Sequence, residues 1–210
     1  MQLTKLSVPG KVMLSGEYAV LYGAVSVLAP VTRCIELTEI NTPLGEAYTP
    51  VVKTAIHHPI REILDYEQAN GLPHIEVDSS QFFYQGENDR NIKLGLGCSA
   101  AEAVGVISLR FDRAGKRIAG YRDAILGHAL QAHSQAQSGL GSGADVAACA
   151  YGRPISFRTT GNDFRLDVIE ISQTSPQIPM NLIWTGQPAD TRKMVGQFQN
   201  WVDYGGTKAR

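Results

Sequence analysis

The chain has 210 residues, of which 43% are hydrophobic and 19% are charged, and its formal net charge is -1 at pH 7. These values suit a folded domain with a substantial core, and they leave no global field that would attract nucleic acid or an anionic membrane. No apolar run approaches the roughly 18 residues that a membrane span requires. Three widely spaced cysteines, Cys34, Cys98 and Cys149, favour a reducing compartment over a disulfide framework, so we expect a cytoplasmic protein.

The first half of the chain predicts strands followed by a helix. The first 40 residues alternate apolar and polar positions and are rich in β-branched side chains, with turns at Pro9-Gly10 and Tyr22-Gly23. Residues 51–70 have apolar side chains at helical spacing, and Gly71 can end that helix. A strand or hairpin is expected at 74–83.

The second half predicts helices over 99–109 and 123–137, and a third from about Asp145 to Gly152. Strands are expected at 154–160, 164–171 and 180–186, followed by a helix over 193–204 and a linker in the last six residues. Strands and helices do not alternate in regular βαβ order, which indicates the α+β class.

The stretch KLGLGCSAAE, from Lys93 to Glu102, places glycines directly before a helical pattern. Glycine allows a close backbone approach, and a helix start presents free N–H groups and a positive dipole end. Together these features predict a phosphate-binding turn. The alternative is that Ser99 and Glu102 form a capping box, which would satisfy the same N–H groups internally.

Two further glycine-rich stretches contain isolated charged residues. In VPGKVMLSGEYAVLYG, from Val8 to Gly23, Lys11 is either a solvated edge lysine or a cation at a site. In SGLGSGAD, from Ser138 to Asp145, the aspartate is either a helix N-cap or a carboxylate that accepts a proton.

Taken in order, the three stretches resemble the motifs of the kinase superfamily named for galactokinase, homoserine kinase, mevalonate kinase and phosphomevalonate kinase (GHMP). Its first motif is similar to residues 9–20, and its phosphate loop, usually Gly-Leu-Gly-Ser-Ser-Ala-Ala, is similar to GLGCSAA at 95–101. Its catalytic-aspartate segment is similar to GSGAD at 141–145. Residues 16–20, Lys93 and residues 183–195 lean towards the phosphomevalonate kinase branch. The resemblance covers essentially the whole chain.

This resemblance implies the α+β fold of the GHMP N-terminal domain, also described as ribosomal protein S5 domain 2-like, with helices packed against a mixed sheet. Residues 1–182 would form this ATP-binding domain, and residues 183–210 would begin the connection to a C-terminal domain. The glycine-rich motif typical of that C-terminal domain does not occur in the sequence. We therefore expect that the C-terminal domain is missing, so the chain is a fragment or truncated relative and an incomplete catalyst by itself.

The activity implied is ATP-dependent, Mg²⁺-assisted phosphorylation of a small molecule, with phosphomevalonate in the mevalonate pathway of isoprenoid synthesis as the first candidate. Mevalonate kinase or another GHMP alcohol kinase is the alternative enzyme, and a non-catalytic binding protein with a truncated GHMP fold is the alternative of another class. The implied partners are ATP and a phosphate-bearing small molecule, without nucleic acid or membrane. A homodimer is compatible with them.

The resemblance also assigns roles to individual residues. The phosphates of ATP would be held by Lys93, Gly95, Leu96, Gly97, Cys98, Ser99, Ala100 and Ala101, and the Ser99 hydroxyl would face Mg²⁺. Asp145 would orient or deprotonate the attacking oxygen of the acceptor, while Lys11 would stabilise negative charge on Asp145 and on the transferring group. The acceptor would contact Lys11, Glu17, Tyr18, Ser142, Gly143, Asp145 and Arg192.

The sequence departs from the superfamily pattern at three places. Cys98 replaces the first serine of the loop, so a hydroxyl donor is lost while the backbone N–H remains. Glu102 adds a negative charge one turn from the expected phosphates, which should weaken their binding unless Mg²⁺ or Lys93 offsets it. Where mevalonate kinases have a metal-binding glutamate, this chain has His133 and Ser134, which leaves the second metal ligand open.

Overall fold

The computed structural model describes residues 4–42, 48–86, 91–139, 141–160, 165–170, 181–186 and 191–205. Its strands are β1 (Lys5–Ser15), β2 (Ser26–Ile40), β3 (His74–Asp78), β4 (Phe83–Gln85), β5 (Asn91–Lys93), β6 (Ile155–Thr160) and β7 (Arg165–Glu170). Its helices are α1 (Pro50–His57), α2 (Leu64–Asn70), α3 (Cys98–Arg113), α4 (Arg122–Ala136), α5 (Ala144–Tyr151) and α6 (Thr191–Gly205).

Strand β2 organises the main five-stranded sheet. It pairs with β1 along one edge, while its start pairs with β6 and its end with β3 along the other, and β7 extends the sheet beyond β6. Strands β4 and β5 form a separate two-stranded sheet. The predicted β-rich start and the α+β class are confirmed. The sheet is antiparallel in every described pairing, whereas a mixed sheet was expected.

Helix α3 is the centre of the helical layer. Thirteen of its 16 residues are buried, because it packs on β1 and β2 and also against α1, α4 and α5. A helix that is buried on all sides needs small or apolar residues on most of its faces, and the first half of α3 is rich in alanine. Complete burial of Ile107 and Leu109 contributes about 1.5–3 kcal/mol each. The packing of α3 therefore fixes the position of the residues at its start.

The helix expected over 51–70 is wrong as a single element. It is interrupted after His57, where His58 adopts an extended conformation (φ -64°, ψ 127°), because the residue before a proline, here Pro59, disfavours helical geometry. The buried guanidinium of Arg110 then binds the free carbonyls of Ala55 and His58 and forms a two-point ion pair with Glu67 on α2. The break thus permits α1 and α2 to pack separately on α3.

The C-terminal elements agree only partly with the predictions. The helix expected at 193–204 is present as α6, and the strands expected at 154–160 and 164–171 correspond to β6 and β7. Residues 181–186 contain no strand, and Ile183 is 88% exposed, because no described strand edge pairs with this segment. Within the described ranges, the structure contains no helix of the length and apolarity needed to cross a membrane.

Candidate active site

The glycine-rich turn before α3 leaves three backbone donors free. Gly97 is the N-cap of α3 and has φ +81°, a left-handed conformation that L side chains rarely adopt. The first hydrogen bond of the helix runs from the N–H of Ala101 to the carbonyl of Gly97, so the N–H groups of residues 98–100 have no helical partner. The backbone N–H of Lys11 donates to the carbonyl of Leu96 at 2.8 Å and joins this turn to β1. The turn has the geometry of an anion site.

The alternative of a capping box at this helix is excluded by the side chains. No side chain caps α3. Glu102 turns away from the helix start and accepts hydrogen bonds from the Thr49 hydroxyl at 2.9 Å and from the Cys98 thiol at 3.7 Å. The first N–H groups of α3 are therefore available to a ligand.

The second glycine-rich turn places Asp145 in the first turn of α5. Gly143 is the N-cap with φ +77°, and the Ser142 hydroxyl accepts the N–H of Ala144 at 3.3 Å. Asp145 is therefore not the N-cap, although its carboxylate accepts the N–H of Val146 at 2.9 Å. A side chain at position 143 would clash with Leu130 of α4. The turn before α5 therefore packs closely against α4.

Both turns open into one cavity of about 550 Å³. The predicted site residues that line it are Lys11, Glu17, Lys93, Gly95, Leu96, Gly97, Cys98, Ser99, Ser142, Gly143 and Asp145. The side chains of Ala100 and Ala101 are fully buried beneath the turn. Tyr18 does not line this cavity and stacks on Phe198 of α6 with ring centroids 4.7 Å apart. The side chain of Arg192 lies outside the described residues.

The cavity is also lined by residues that the sequence analysis did not predict to be part of the site. Helix α6 contributes Val195, Gly196 and Gln199, α4 contributes His133, and its C-cap contributes Gln137. For His133 a signal existed, because it occupies the place of a metal-binding glutamate in the resemblance. No local sequence pattern predicts that α6 lines the cavity. Its position against the turn at 19–22 depends on aromatic contacts of Phe198 with Tyr18 and Tyr22.

The cavity is lined by charges of both signs, with Lys11 and Lys93 opposed by the carboxylates of Glu17 and Asp145. Lys11 and Lys93 both line it, and in the part of the chain that the structure describes neither forms an ion pair within 4.0 Å. Lys93 Nζ lies 5.9 Å from the ring centroid of Phe83, which helps to hold the cation at the rim. Two lysines that form no ion pair in the described part of the chain therefore line the same cavity as Cys98 and Ser99 at the start of α3.

Ser99, His133 and Gln137 form a hydrogen-bonded group in the cavity wall. Ser99 Oγ lies 3.2 Å from His133 Nε2, and the Gln137 amide nitrogen lies 3.0 Å from the same imidazole nitrogen. Burial lowers the pKa of His133, while the nearby Asp145 carboxylate opposes that effect. Burial prevails, so the imidazole is neutral at pH 7.

Two oxygen-bearing side chains in the cavity fit a magnesium ion that is also bound by a phosphate ligand. Among the described residues, no group of three or more His, Cys, Asp or Glu side chains could hold a metal by itself. The Ser99 hydroxyl and the Asp145 carboxylate, however, line the same cavity and are hard oxygen donors. Mg²⁺ usually binds one or two protein oxygens together with phosphate oxygens.

The negative charge introduced by Glu102 is kept out of the cavity. The residue is 5% exposed and does not line the cavity. Burial raises its pKa, and the Lys93 cation partly offsets the rise. Burial also raises the pKa of the Cys98 thiol to about 12, so this thiol remains protonated and donates to Glu102. Glu102 therefore bridges α3 to Thr49, the N-cap of α1.

We expect Glu102→Ala to lower the free energy of unfolding by about 0.5–1.5 kcal/mol, because the hydrogen bond from the Thr49 hydroxyl to Glu102 is lost. Glu102→Gln keeps the side-chain shape without the charge and is the matched control. Because the folded-state pKa of Glu102 is raised, its stabilising protonated form is present below the usual carboxyl range and is lost as pH rises through the raised pKa.

The unfolding free energy of Glu102→Gln relative to the unmodified chain should therefore increase with pH through that interval and level off above it. Chemical denaturation at several pH values measures this difference. A difference that does not vary with pH would show that ionisation of Glu102 is not coupled to folding.

In its fold and in these two turns, the chain is similar to GHMP kinases. A curated phosphomevalonate kinase from Saccharolobus solfataricus is 27% identical to the chain, across 93% of the chain and 62% of the relative. The chain therefore spans about three fifths of that relative. The resemblance predicted from the sequence is confirmed. No family model matches the chain.

Solved structures show the same fold. The Lin0012 protein from Listeria innocua has a TM-score of 0.72 at 22% identity, over 97% of this chain and 67% of the other. The phosphomevalonate kinase of Streptococcus pneumoniae, solved with phosphomevalonate and AMPPNP, has a TM-score of 0.64 at 13% identity, over 81% of this chain and 60% of the other. This chain spans 67% of the first of these structures and 60% of the second.

Proposed function

We propose that this chain provides the nucleotide-binding part of an ATP-dependent kinase that phosphorylates phosphomevalonate. One observation carries the proposal: the free N–H groups of α3, the Asp145 carboxylate and two lysines that form no ion pair among the described residues line one cavity. A cytoplasmic enzyme of isoprenoid precursor synthesis is the setting that this proposal implies.

The loop at 95–101 would bind the phosphates of ATP through the backbone N–H groups of Cys98, Ser99 and Ala100. Lys93 at the rim would add charge neutralisation. Magnesium, when bound, would neutralise charge on the phosphates, and Ser99 and Asp145 are the side chains here that would hold it.

The acceptor would lie between the loop and α5. Asp145 would orient its attacking oxygen, and Lys11 would stabilise negative charge as it develops on the transferring phosphoryl group. Phosphoryl transfer demands positioning and charge neutralisation more than covalent chemistry, which these residues can provide. If the attacking oxygen belongs to a phosphate, it is already ionised near pH 7, and the cations then matter more than a general base.

The chemistry of the cavity supports a phosphate-bearing acceptor. Glu17 and Asp145 also line the cavity, so Lys11 and Lys93 would act together with the Mg²⁺ of the nucleotide to offset the charge of two approaching anions. The curated relative at 27% identity is a phosphomevalonate kinase, and the Streptococcus pneumoniae enzyme was solved with phosphomevalonate.

A substrate panel tests the acceptor. With the longest natural form that contains this chain, we expect ADP formation with phosphomevalonate, and at least about 100-fold lower kcat/KM with mevalonate or galactose, because those acceptors lack the phosphate that the lysines attract. Lys11→Met should reduce the preference, and Lys53→Met, at an exposed position on α1, is the matched control.

Activity with mevalonate or galactose and none with phosphomevalonate would refute the acceptor and leave kinase activity standing. Nucleotide binding without turnover of any acceptor would favour a non-catalytic binding protein.

A further inference from the structure

Three polar side chains in the cavity wall contact one another pairwise. Ser99 Oγ is 3.2 Å from His133 Nε2, and Gln137 Nε2 is 3.0 Å from that nitrogen and 3.3 Å from Ser99 Oγ. Ser99 belongs to the first turn of α3, His133 lies in the last turn of α4, and Gln137 is the C-cap of α4. His133 is 5% exposed, so water cannot readily replace these partners.

Hydrogen-bonding capacity assigns the protons in this group. An amide nitrogen is only a donor, so His133 Nε2 accepts from Gln137 and carries a lone pair. In a neutral imidazole the proton then resides on Nδ1. Since Nε2 cannot donate, the Ser99 hydroxyl donates to it. The second amide hydrogen of Gln137 is directed to Ser99 Oγ.

This assignment leaves Ser99 Oγ with one free lone pair and no free hydrogen. Ser99 lines the cavity, so this lone pair is what it can offer a ligand there. A lone pair attracts a cation and repels a phosphate oxygen. The Nε2 lone pair of His133 is meanwhile occupied by two donors and is unavailable to a metal.

We propose that His133 is a positioning residue that holds the Ser99 hydroxyl with its oxygen towards the divalent cation of the nucleotide. His133 is not itself a metal ligand. This inference rests on the proposed function, because the cation arrives with the nucleotide, and it adds to that function a residue that acts through Ser99.

Calorimetry of AMPPNP binding, with Mg²⁺ and with EDTA, measures the metal-dependent gain in affinity without any turnover. We expect Ser99→Ala and His133→Leu each to reduce that gain by roughly tenfold, since residues that orient metal ligands typically have effects of this size. The double variant should lose no more than either single variant, because both remove the same interaction. Affinity in EDTA should change by less than about twofold.

His133→Gln is the rescue variant, because its Oε1 can accept the Ser99 hydrogen near the position of Nε2. It should retain most of the metal-dependent gain. An unchanged gain in His133→Leu, or additive losses in the double variant, would overturn the inference, and additive losses would indicate direct ligation by His133. Absence of nucleotide binding in the unmodified chain would refute both the proposed function and this inference.

A second measurement needs neither nucleotide nor metal. The imidazole ¹⁵N chemical shifts of the unmodified chain should show His133 protonated at Nδ1 and unprotonated at Nε2. Protonation at Nε2 would require Ser99 to accept, which would overturn the inference while leaving nucleotide binding and kinase activity untouched. If His133→Leu does not fold, this measurement still tests whether His133 accepts the Ser99 hydrogen.

Discussion

Gly97→Val should reduce the affinity for ATP·Mg²⁺ by at least about 100-fold while the domain remains folded. At φ +81° a β-branched residue costs about 1–3 kcal/mol of backbone strain. A Cβ at this position would also lie 3.0 Å from Cγ and Cε of the Lys11 side chain. The added side chain would therefore displace a lysine of the cavity and occupy the space above the free N–H groups of α3. Calorimetric titration with AMPPNP and a thermal melt measure both effects.

Gly115→Val is the matched control for this experiment. Gly115 follows α3 with φ +72°, and a side chain there would meet nothing within 4 Å. The control should show a similar loss of stability and unchanged nucleotide affinity. Equal nucleotide affinity in folded Gly97→Val and Gly115→Val would show that the loop does not bind the nucleotide.

Asp145→Asn should lower kcat by roughly 100-fold or more in the longest natural form that contains this chain, because the carboxylate loses its charge and its capacity to accept a proton. Nucleotide affinity in EDTA should change by less than about tenfold, since the loop on α3 is untouched. The amide oxygen of asparagine can still accept the N–H of Val146, so α5 should keep its start. Steady-state kinetics and calorimetry separate the two effects.

Asp123→Asn is the matched control for Asp145→Asn. Asp123 occupies the equivalent place in the first turn of α4 and does not line the cavity of about 550 Å³. The favourable interaction of an acidic residue with a helix start is therefore removed in both variants, whereas the cavity changes in only one. Similar kcat values for the two variants would show that Asp145 has no role in catalysis.

The helix starts were predictable because they depend on local chemistry. Glycines before an alanine-rich apolar run predict a helix that begins near residue 98, and the SGLGSGAD stretch similarly precedes α5. The helix break near His58 was also readable, because Pro59 disfavours helical geometry in the preceding residue. The strand predicted at 180–186 is absent from the described residues 181–186. High β-propensity gives only a preference, and a strand also needs a neighbouring strand with which to form hydrogen bonds.

By itself, the sequence determined the glycine turns, the class of fold and the chemical types available to the site, because each depends on neighbouring residues. Only the tertiary structure decided which of those residues meet. Lys11 on β1, Ser99 on α3 and Asp145 on α5 are separated by tens of residues, and the packing of α3 against the sheet and against α5 brings them to one cavity. The same packing buries Glu102 beside Thr49 and His133 beside Ser99. Burial raises the pKa of Glu102 and lowers that of His133, because a low-dielectric interior disfavours charge.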